Sequence, residues 1–255
     1  MVKRVITGLT IVGILFPLIY LGGLLMDLMI LVLMLVLSFE VSRIRKFKYQ
    51  NLVLVLIFLS ILGLFFCHEK NLVFYLGSIA IVSFIFPLID EDYKLVDILV
   101  LFMLIFMAAM AIIGLKALRD TSVELTFLVI VGTYATDSFA FFIGSWFGKH
   151  RLAPKISPNK SVEGAIGGWI GGCLFTIGFR YLFYPQLQLE LMILLAIFMP
   201  IISQIGDLAF SFIKRSYGIK DYGTIFADHG GVFDRIDSLI FALIFANFLL
   251  NVVIR

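Results

Sequence analysis

The amino-acid sequence predicts an all-α fold, a polytopic helical bundle that crosses a membrane about nine times. Hydrophobic residues make up 62% of the 255 residues and charged residues only 15%, whereas soluble domains are nearer half apolar and a quarter charged. Apolar runs of about 20 residues recur along the chain, which is the length that a helix needs to cross roughly 30 Å of hydrocarbon. These two observations predict a multi-pass integral membrane protein.

Nine apolar runs are candidate spans, and they follow one another closely enough for a single integral domain over residues 1–255. The predicted spans are 5–21, 24–42, 51–67, 71–89, 96–114, 124–144, 164–184, 189–211 and 236–254. The span at 51–67 is, with 5–21, one of the two shortest, and its hydropathy also fits a tilted or half-inserted helix. We therefore expect N-terminal helices in 1–120 and a more polar half in 121–255.

Lysine and arginine are concentrated on one side of the predicted bundle. If the N-terminus and the loops after spans two, four, six and eight share a side, that side carries fifteen of the 20 Lys and Arg residues. Cytoplasmic loops carry such an excess. The N-terminus and the loops at 145–163 and 212–235 are therefore predicted to be cytoplasmic, in a cell membrane of the inner or plasma type.

The first five spans contain few polar groups suited to chemistry. Asp27, Glu40 and Asp97 lie near predicted helix ends, where water is close. Because a charge at mid-bilayer is costly, we expect these three carboxylates to be interfacial.

The seventh span is rich in glycine at helical spacing. Small residues at such positions let helix backbones approach closely, within one chain or between two copies. We expect packing to be the role of these residues, which are Gly164, Gly167, Gly168, Gly171 and Gly172.

Acidic residues lie inside or at the edge of the later spans. Asp137 is about seven residues from the predicted cytoplasmic end of span six, and Asp207 about four from that of span eight; at 1.5 Å per residue these depths are near 10 and 6 Å. Asp234 and Asp237 stand where span nine begins. An ionisable group at this depth predicts a functional site; a carboxylate paired with a cation for structure is the alternative.

The loop after span eight mixes these acids with bases. Carboxylates beside Lys and Arg at headgroup level predict a hard cation and a phosphate, since Mg²⁺ uses one or two carboxylates and completes its shell with substrate phosphates. Lys and Arg then neutralise the remaining oxygens. Glycines such as Gly230 and Gly231 allow close approach of the backbone. No P-loop or dinucleotide-binding glycine motif is present.

A second charged loop covers residues 144–164. Pro154 and Pro158 predict an ordered, non-helical excursion in place of a continuing helix. Its basic residues, Lys149 and Lys160 among them, are suited to holding a polyanion, and positive-inside anchoring is the alternative.

Three stretches of the second half carry a recognisable pattern. Residues 211–237 are SFIKRSYGIKDYGTIFADHGGVFDRID, residues 157–164 are SPNKSVEG, and residues 137–144 with 147–150 are DSFAFFIG and FGKH. The pattern resembles the signature of the phosphatidate cytidylyltransferases (CDP-diacylglycerol synthases), S-x-x-K-R-x(4)-K-D followed by H-G-G-x-x-D-R-x-D. The resemblance makes 121–255 the catalytic half, while the first half matches only as membrane helices.

The resemblance implies transfer of CMP from CTP to phosphatidate, giving CDP-diacylglycerol and pyrophosphate for phospholipid biosynthesis. It implies CTP and the membrane lipid phosphatidate as partners, Mg²⁺ with room for a second cation, a homodimer, no nucleic-acid partner, and an active site that faces the cytoplasm. A phosphate monoester has a second pKa near 6, so the nucleophile is already ionised. Catalysis would then consist of positioning and charge neutralisation.

Matching positions give each predicted site residue a role. Asp207 and Asp234 are the implied magnesium ligands. The implied catalytic residues are Asp207, Lys214, Arg215, Lys220, Asp221, His229, Asp234, Arg235 and Asp237, of which the bases hold phosphates and Asp221, Asp237 and His229 have open roles. The implied substrate-binding residues are Asp137, Lys149, Ser157, Asn159, Lys160, Glu163, Gly230 and Gly231.

Two other functions fit parts of this sequence. A related CTP-dependent transferase or kinase acting on another lipid, such as an isoprenoid alcohol or an archaeal ether phosphatidate, would need a base for an alcohol acceptor. A secondary transporter would place acids near the midplane and repeat one half of the chain in the other. The predicted acids lie toward the cytoplasmic face, and no clear repeat is seen.

Overall fold

Helices dominate the computed structural model, which describes residues 13, 15–45, 49–67, 71–89, 91–225 and 230–253. The helices are α1 (Gly23–Ser42), α2 (Gln50–Phe66), α3 (Leu72–Ser83), α4 (Phe86–Ile89), α5 (Leu95–Thr121), α6 (Val123–Phe147), α7 (Val162–Phe183), α8 (Leu189–Ser216) and α9 (Phe233–Val253). Strands β1 (Arg151–Ala153) and β2 (Ser157–Ser161) form an antiparallel hairpin between α6 and α7.

Six of the described helices are long and apolar enough to cross a membrane: α1, α5, α6, α7, α8 and α9. The prediction of a helical protein with several helices suited to cross a membrane is therefore confirmed, but the count of nine spans is not. Helices α2 and α3 have 17 and 12 residues, fewer than the roughly 20 that an untilted span needs. Most of the first predicted span, 5–21, lies outside the described residues, and the cytoplasmic N-terminus stays a prediction.

The chain divides into two units whose residues pack mainly among themselves. The first unit draws on Met1–Ile113 and Tyr217–Arg235, and the second on Gly114–Ser216 and Ile236–Arg255. The single integral domain, with its two halves 1–120 and 121–255, stays a prediction.

In the first unit, α1 packs against α2. The side chains that α1 buries include Met26, Ile30 and Met34, at the four-residue spacing of one helix face. Leu28 and Leu35 on the opposite face of α1 are exposed. Both faces are apolar, as expected where lipid replaces water as the solvent.

In the second unit, α7 packs against α6 along a stripe of small residues. A Cβ atom on Gly164 would lie 2.7 Å from the Ala140 carbonyl oxygen, and one on Gly168 would lie 2.9 Å from the Thr136 carbonyl oxygen. Neither contact leaves room for a side chain. The prediction that these glycines serve close helix packing is confirmed, and the packing is within one chain.

The helices that carry the predicted site extend beyond the predicted spans. Helix α6 ends at Phe147 and α8 at Ser216, whereas the sequence predicted ends at 144 and 211, and α9 begins at Phe233 instead of 236. Lys214 and Arg215 consequently lie in the last turn of α8, and Asp234 in the first turn of α9. Positive charge in the last turn of a helix and negative charge in the first turn both interact favourably with the helix dipole. Asp137 and Asp207 therefore lie farther from their helix ends than predicted.

Candidate functional site

Five charged side chains from four elements of the second unit form one charged cluster. Lys160 Nζ of β2 is ion-paired with Asp207 Oδ2 of α8, and Lys214 Nζ lies 3.9 Å from Asp237 Oδ2. Asp137 of α6 interacts electrostatically with both Asp207 and Lys160. Asp237 in turn interacts with Asp207 and Asp137. The structure thus brings together three carboxylates and two ammonium groups that the sequence singled out.

The two ion pairs of the cluster differ in exposure. The side chains of Lys160 and Asp207 are 27% and 26% exposed, whereas those of Lys214 and Asp237 are 9% and 12% exposed. Ser211, one turn after Asp207, donates its hydroxyl to Asp207 Oδ1 at 3.4 Å. The Lys160–Asp207 pair is therefore the one that a ligand can reach, and the other pair is largely closed to solvent.

A glycine lets α8 and α9 approach at the cluster. A Cβ atom on Gly206 would lie 3.0 Å from the Asp237 carbonyl oxygen and 2.8 Å from Phe241 Cγ. Because glycine has no side chain, the backbone of α9 can pack directly against α8 at this level. The contact brings Asp207, the next residue of α8, close to Asp237.

The β1–β2 hairpin carries Lys160 to the cluster. Ser161 ends β2 and also caps α7, accepting a hydrogen bond from the Gly164 amide at 3.1 Å. Arg215 Nε donates to the Ile156 carbonyl oxygen in the hairpin turn at 3.3 Å. The sequence prediction of an ordered, non-helical segment is confirmed, and the structure adds that it is a two-stranded sheet.

Glu163 fixes the turn that precedes the hairpin. Its Oε2 accepts from the Lys149 amide at 3.1 Å and from the His150 amide at 3.2 Å, and its Oε1 lies 2.6 Å from His150 Nδ1. Both carboxylate oxygens thus have protein partners. The substrate-binding role of Glu163 stays a prediction; its contacts are those of a residue that holds a loop.

In the first unit, Asp234 organises the segment before α9. Its Oδ2 accepts hydrogen bonds from the Tyr222 amide at 2.8 Å and the Gly231 amide at 2.9 Å. Gly230 has φ 77°, a left-handed conformation that glycine adopts without strain. A Cβ atom there would also lie 2.8 Å from Asp234 Oδ2. Glycine at position 230 is therefore required by the backbone and by the carboxylate.

Glu40 also belongs to this region, although the sequence did not predict that it contacts the segment before α9. Its Oε1 accepts from the Val232 amide at 2.7 Å and its Oε2 from the Phe233 amide at 2.8 Å. Glu40 lies two residues before the end of α1, as predicted, but it is not close to water, because the residue is only 1% exposed. A single acidic residue near the end of an apolar helix could have marked Glu40 as functional, but nothing in the sequence links it to residues 232 and 233.

Asp97 is likewise buried, within a network of the first unit. It is ion-paired with Arg45, its Oδ2 accepts from the Lys94 amide at 2.9 Å, and the Tyr217 hydroxyl donates to its Oδ1 at 2.9 Å. Burial, the hydrogen bond to Asp97 and that negative charge raise the pKa of Tyr217. The network fixes the start of the segment from Tyr217 to Arg235.

The remaining predicted residues are distributed over both units. In the second unit, Lys149, Asn159 and Arg215 are exposed and Ser157 is half-buried. In the first unit, Lys220, Asp221 and Arg235 are exposed, whereas Gly230 and Gly231 are buried. His229 lies outside the described residues.

The charged cluster offers the oxygen donors that a hard cation prefers. Among the described residues, no group of three or more His, Cys, Asp and Glu side chains is arranged to hold a metal ion by itself. Mg²⁺ commonly needs only one or two protein carboxylates, because substrate phosphates and water supply its other ligands. The accessible carboxylate of Asp207 therefore fits a magnesium ion that arrives with a phosphate.

An apolar groove of 380 Å³ lies beside the cluster, between α7 and α8. The residues that line this α7–α8 groove are Leu152, Val162, Ala165, Ile166, Trp169, Ile201, Gln204, Ile205 and Leu208. Its two polar side chains are bonded to backbone: Trp169 Nε1 donates to the Ile197 carbonyl at 2.9 Å and Gln204 Nε2 to the Ala165 carbonyl at 3.2 Å. Leu208 follows Asp207 in α8, and Val162 lies two residues after Lys160, so both residues of the accessible ion pair are near lining residues of the groove in the chain.

Known proteins resemble this chain in sequence. A profile of the family described as "Cytidylyltransferase family" matches residues 2–253. The chain is 37% identical over 138 residues to the phosphatidate cytidylyltransferase of Bacillus subtilis (strain 168), covering 54% of this chain and 51% of that protein. It is 35% identical over 187 residues to that of Aquifex aeolicus (strain VF5), covering 68% and 70%.

A third relative gives a similar match. The chain is 40% identical over 129 residues to the phosphatidate cytidylyltransferase of Thermotoga maritima, covering 48% of this chain and 47% of that protein. The matched part therefore spans about half the length of the Bacillus and Thermotoga relatives.

Proposed function

The chain belongs to the cytidylyltransferase family, and from this premise we propose that it transfers CMP from CTP to phosphatidate. The products are CDP-diacylglycerol, a precursor for phospholipid synthesis, and pyrophosphate. The observation that carries the proposal is the charged cluster, in which accessible Asp207 and Lys160 lie beside an apolar groove. A reaction between a nucleotide and a lipid phosphate needs such a combination of a carboxylate for a cation, an ammonium group for phosphate and an apolar surface for the lipid.

The reaction joins two phosphate groups. An oxygen of the phosphatidate phosphate forms a bond to the α-phosphorus of CTP, and the bond from that phosphorus to the bridging oxygen of the β-phosphate breaks. The electron pair of the broken bond leaves with pyrophosphate. Because the second pKa of a phosphate monoester is near 6, the attacking oxygen carries no proton at neutral pH. The protein therefore needs to supply position and positive charge more than a general base.

The Lys160–Asp207 pair supports a role in binding phosphate. In the ion pair each charge compensates the other, and both side chains are partly accessible. A phosphate that approaches Lys160 replaces Asp207 as the partner of the ammonium group. The released carboxylate is then available for the cation that accompanies CTP. Magnesium bound there would neutralise phosphate oxygens and withdraw electrons from the α-phosphorus.

The Lys214–Asp237 pair supports a positioning role. Both side chains are nearly buried, and their atoms are 3.9 Å apart. Lys214 reduces the repulsion that Asp237 would otherwise exert on Asp207 and Asp137, with which Asp237 interacts. Lys214 and exposed Arg215 are also the residues that the resemblance assigns to phosphates.

The roles that we propose for residues of the first unit rest on the resemblance to the family signature. It assigns Lys220 and Arg235 to phosphates and Asp234 to the metal. The two amide hydrogen bonds to Asp234 Oδ2 orient this carboxylate, as expected of a metal ligand held by outer contacts. Because Asp207 and Asp234 belong to different units, shared metal ligation by the two stays a prediction, as do the roles of Asp221 and His229.

We propose that the α7–α8 groove holds an acyl chain of the lipid substrate. The groove is apolar and lies between two helices that are apolar enough to cross a membrane. Its end beside Asp207 adjoins the cationic Lys160. An apolar slot that ends at a cation matches an anionic lipid, whose chains stay in hydrocarbon while its phosphate reaches the charged cluster.

The setting of the reaction follows from the same proposal. We propose a multi-pass protein of the inner or plasma membrane whose charged cluster faces the cytoplasm, where CTP is found. A homodimer stays a prediction that rests on the resemblance. The glycine stripe of α7 gives it no support, because Gly164 and Gly168 contact α6 of the same chain.

Purified protein incubated with labelled CTP, Mg²⁺ and dispersed phosphatidate tests the proposal. We expect one pyrophosphate released for each nucleotide-linked lipid formed. Release of CDP with a phosphorylated lipid would instead identify a kinase, and no turnover of CTP with phosphatidate would overturn the proposed function. Removal of divalent cations with a chelator is expected to stop the reaction, and added Mg²⁺ to restore it.

A further inference from the structure

We infer that Glu40 of α1 is a positioning residue that holds the start of α9 and the segment before it in a reactive arrangement. Its effect on rate rests on the proposed function; its effect on this segment does not. Glu40 belongs to none of the stretches that resemble the family signature, and it lies in the half of the chain with few groups suited to chemistry.

Both oxygens of the Glu40 carboxylate bind the backbone where α9 begins. Oε1 lies 2.7 Å from the Val232 amide nitrogen and Oε2 lies 2.8 Å from that of Phe233. The first amides of a helix have no acceptor within the helix, and a negative charge is favourable at that end. Since Glu40 is 1% exposed, water cannot readily replace it as the acceptor.

Two glycines of the signature-like segment make room for this carboxylate. A Cβ atom on Gly223 would lie 2.7 Å from Glu40 Oε1, and one on Gly231 would also overlap the carboxylate. The segment therefore approaches the Glu40 carboxylate closely at two positions. Within the segment, the buried rings of Tyr222 and Phe233 pack against each other with centroids 5.2 Å apart. This arrangement leaves room for no side chain at either glycine.

Glu40 and Asp234 divide three consecutive amides between them. The Gly231 amide donates to Asp234, and the amides of Val232 and Phe233 donate to Glu40. The peptide groups that Glu40 fixes are thus the ones directly before Asp234. Loss of Glu40 would leave the amides of Val232 and Phe233 without this acceptor, and the backbone that orients Asp234 would become more mobile. Glu40 acts through Asp234 and touches no substrate in this proposal.

Amide hydrogen exchange without substrate tests the hold of Glu40 on this segment. In Glu40→Ala we expect faster exchange in peptides covering 230–236, and unchanged exchange in α2. Glu40→Gln keeps one carbonyl acceptor and is expected to restore part of the protection. The matched control is Ser38→Ala in the same helix, because Ser38 is also buried and its hydroxyl donates to the Met34 carbonyl oxygen within α1.

Kinetics test the effect on the reaction. We expect kcat to fall about 10- to 100-fold in Glu40→Ala, the range seen when a group that orients a ligand is removed. The KM for CTP should change by less than about threefold, because Glu40 contacts no substrate, and Glu40→Gln should recover part of kcat. Ser38→Ala should leave both constants near those of the wild type.

Two results would overturn the inference. One is unchanged exchange in 230–236 in Glu40→Ala. The other is faster exchange throughout the first unit in both Glu40 variants with no recovery of kcat in Glu40→Gln, which would show a general loss of folding. A wild-type protein that makes no nucleotide-linked lipid would overturn the proposed function and the effect on rate, and the exchange measurements would still decide what Glu40 holds.

Discussion

Lys160 in strand β2 is ion-paired with Asp207 in helix α8, and about a quarter of each side chain is exposed. The two residues are far apart in the chain and come from different kinds of structure. The hairpin is attached to α8 by Arg215 and to α7 by Ser161, so the position of Lys160 depends on both helices. The pair therefore has the fixed position and the access that a phosphate site requires.

Asp207→Asn and Lys160→Met are each expected to lower the rate of CMP transfer by at least about 100-fold. Each removes a charge that would act on phosphate or its cation in the transition state, and single electrostatic contacts of that kind are worth about 10² to 10³ in rate. Steady-state kinetics at saturating CTP measure the loss. Lys155→Met, in the exposed turn of the same hairpin, is the control and should change the rate less than about threefold. A rate near normal in Asp207→Asn would contradict the proposed cation site.

Lys214 and Asp237 form the buried pair of the cluster, and their loss is expected to affect stability. Removing one partner leaves a buried charge without compensation, which commonly costs about 3–5 kcal/mol. Lys214→Met and Asp237→Asn should each lower the midpoint of thermal unfolding in detergent. The double variant should be more stable than the sum of the single losses predicts. Additive losses would mean that the pair is not coupled.

The glycine stripe of α7 gives a prediction with a control on the same helix. Gly168→Ala would place a Cβ atom 2.9 Å from the Thr136 carbonyl oxygen, and such overpacking typically costs about 1–3 kcal/mol. Gly178→Ala meets no atom within 4 Å, so helix propensity alone should make it neutral or stabilising by up to about 1 kcal/mol. Thermal unfolding of both variants checks the difference. Equal stability would contradict the close packing of α6 and α7.

The sequence predicted the residues of the charged cluster because charges are rare in membrane helices and stand out there. Asp137 and Asp207 interrupt apolar runs, Asp237 stands where one begins, and Lys160 lies in a motif with Pro158. The sequence did not predict which side chains pair with which. Those contacts depend on how α6, α8, α9 and the hairpin pack, and the pattern within each element does not contain that information.

Glu40 shows why the remaining contacts were not predictable. Its amide partners are 192 and 193 residues away in the chain, and a backbone amide carries no side-chain signal. The sequence also could not show which face of a helix is buried. Buried Ile30 and exposed Leu28 are both apolar, because the exposed face of a membrane helix contacts lipid instead of water. Helix ends were misplaced because hydropathy falls at Lys214 and Arg215, although cations are favourable in the last turn of a helix.

The α7–α8 groove predicts a dependence on acyl-chain length. Ile166 lines the groove and is exposed, so Ile166→Trp should fill part of it. If the new ring displaces about two methylenes of a bound chain, at about 0.8 kcal/mol each, the KM for long-chain phosphatidate should rise roughly tenfold. The KM for a short-chain phosphatidate, which does not reach the ring, should stay the same.

Leu174→Trp is the matched control for this prediction. Leu174 is also exposed on α7 but is not among the residues that line the groove, so the added ring should leave both KM values unchanged. An equal effect of Ile166→Trp on short and long chains would mean that the ring disturbs the charged cluster itself. A change in oligomer size with no change in chain-length dependence would show that the groove holds a second copy of the protein. Either result would contradict an acyl chain as the occupant, because only a bound chain makes the effect of the ring depend on the number of methylenes.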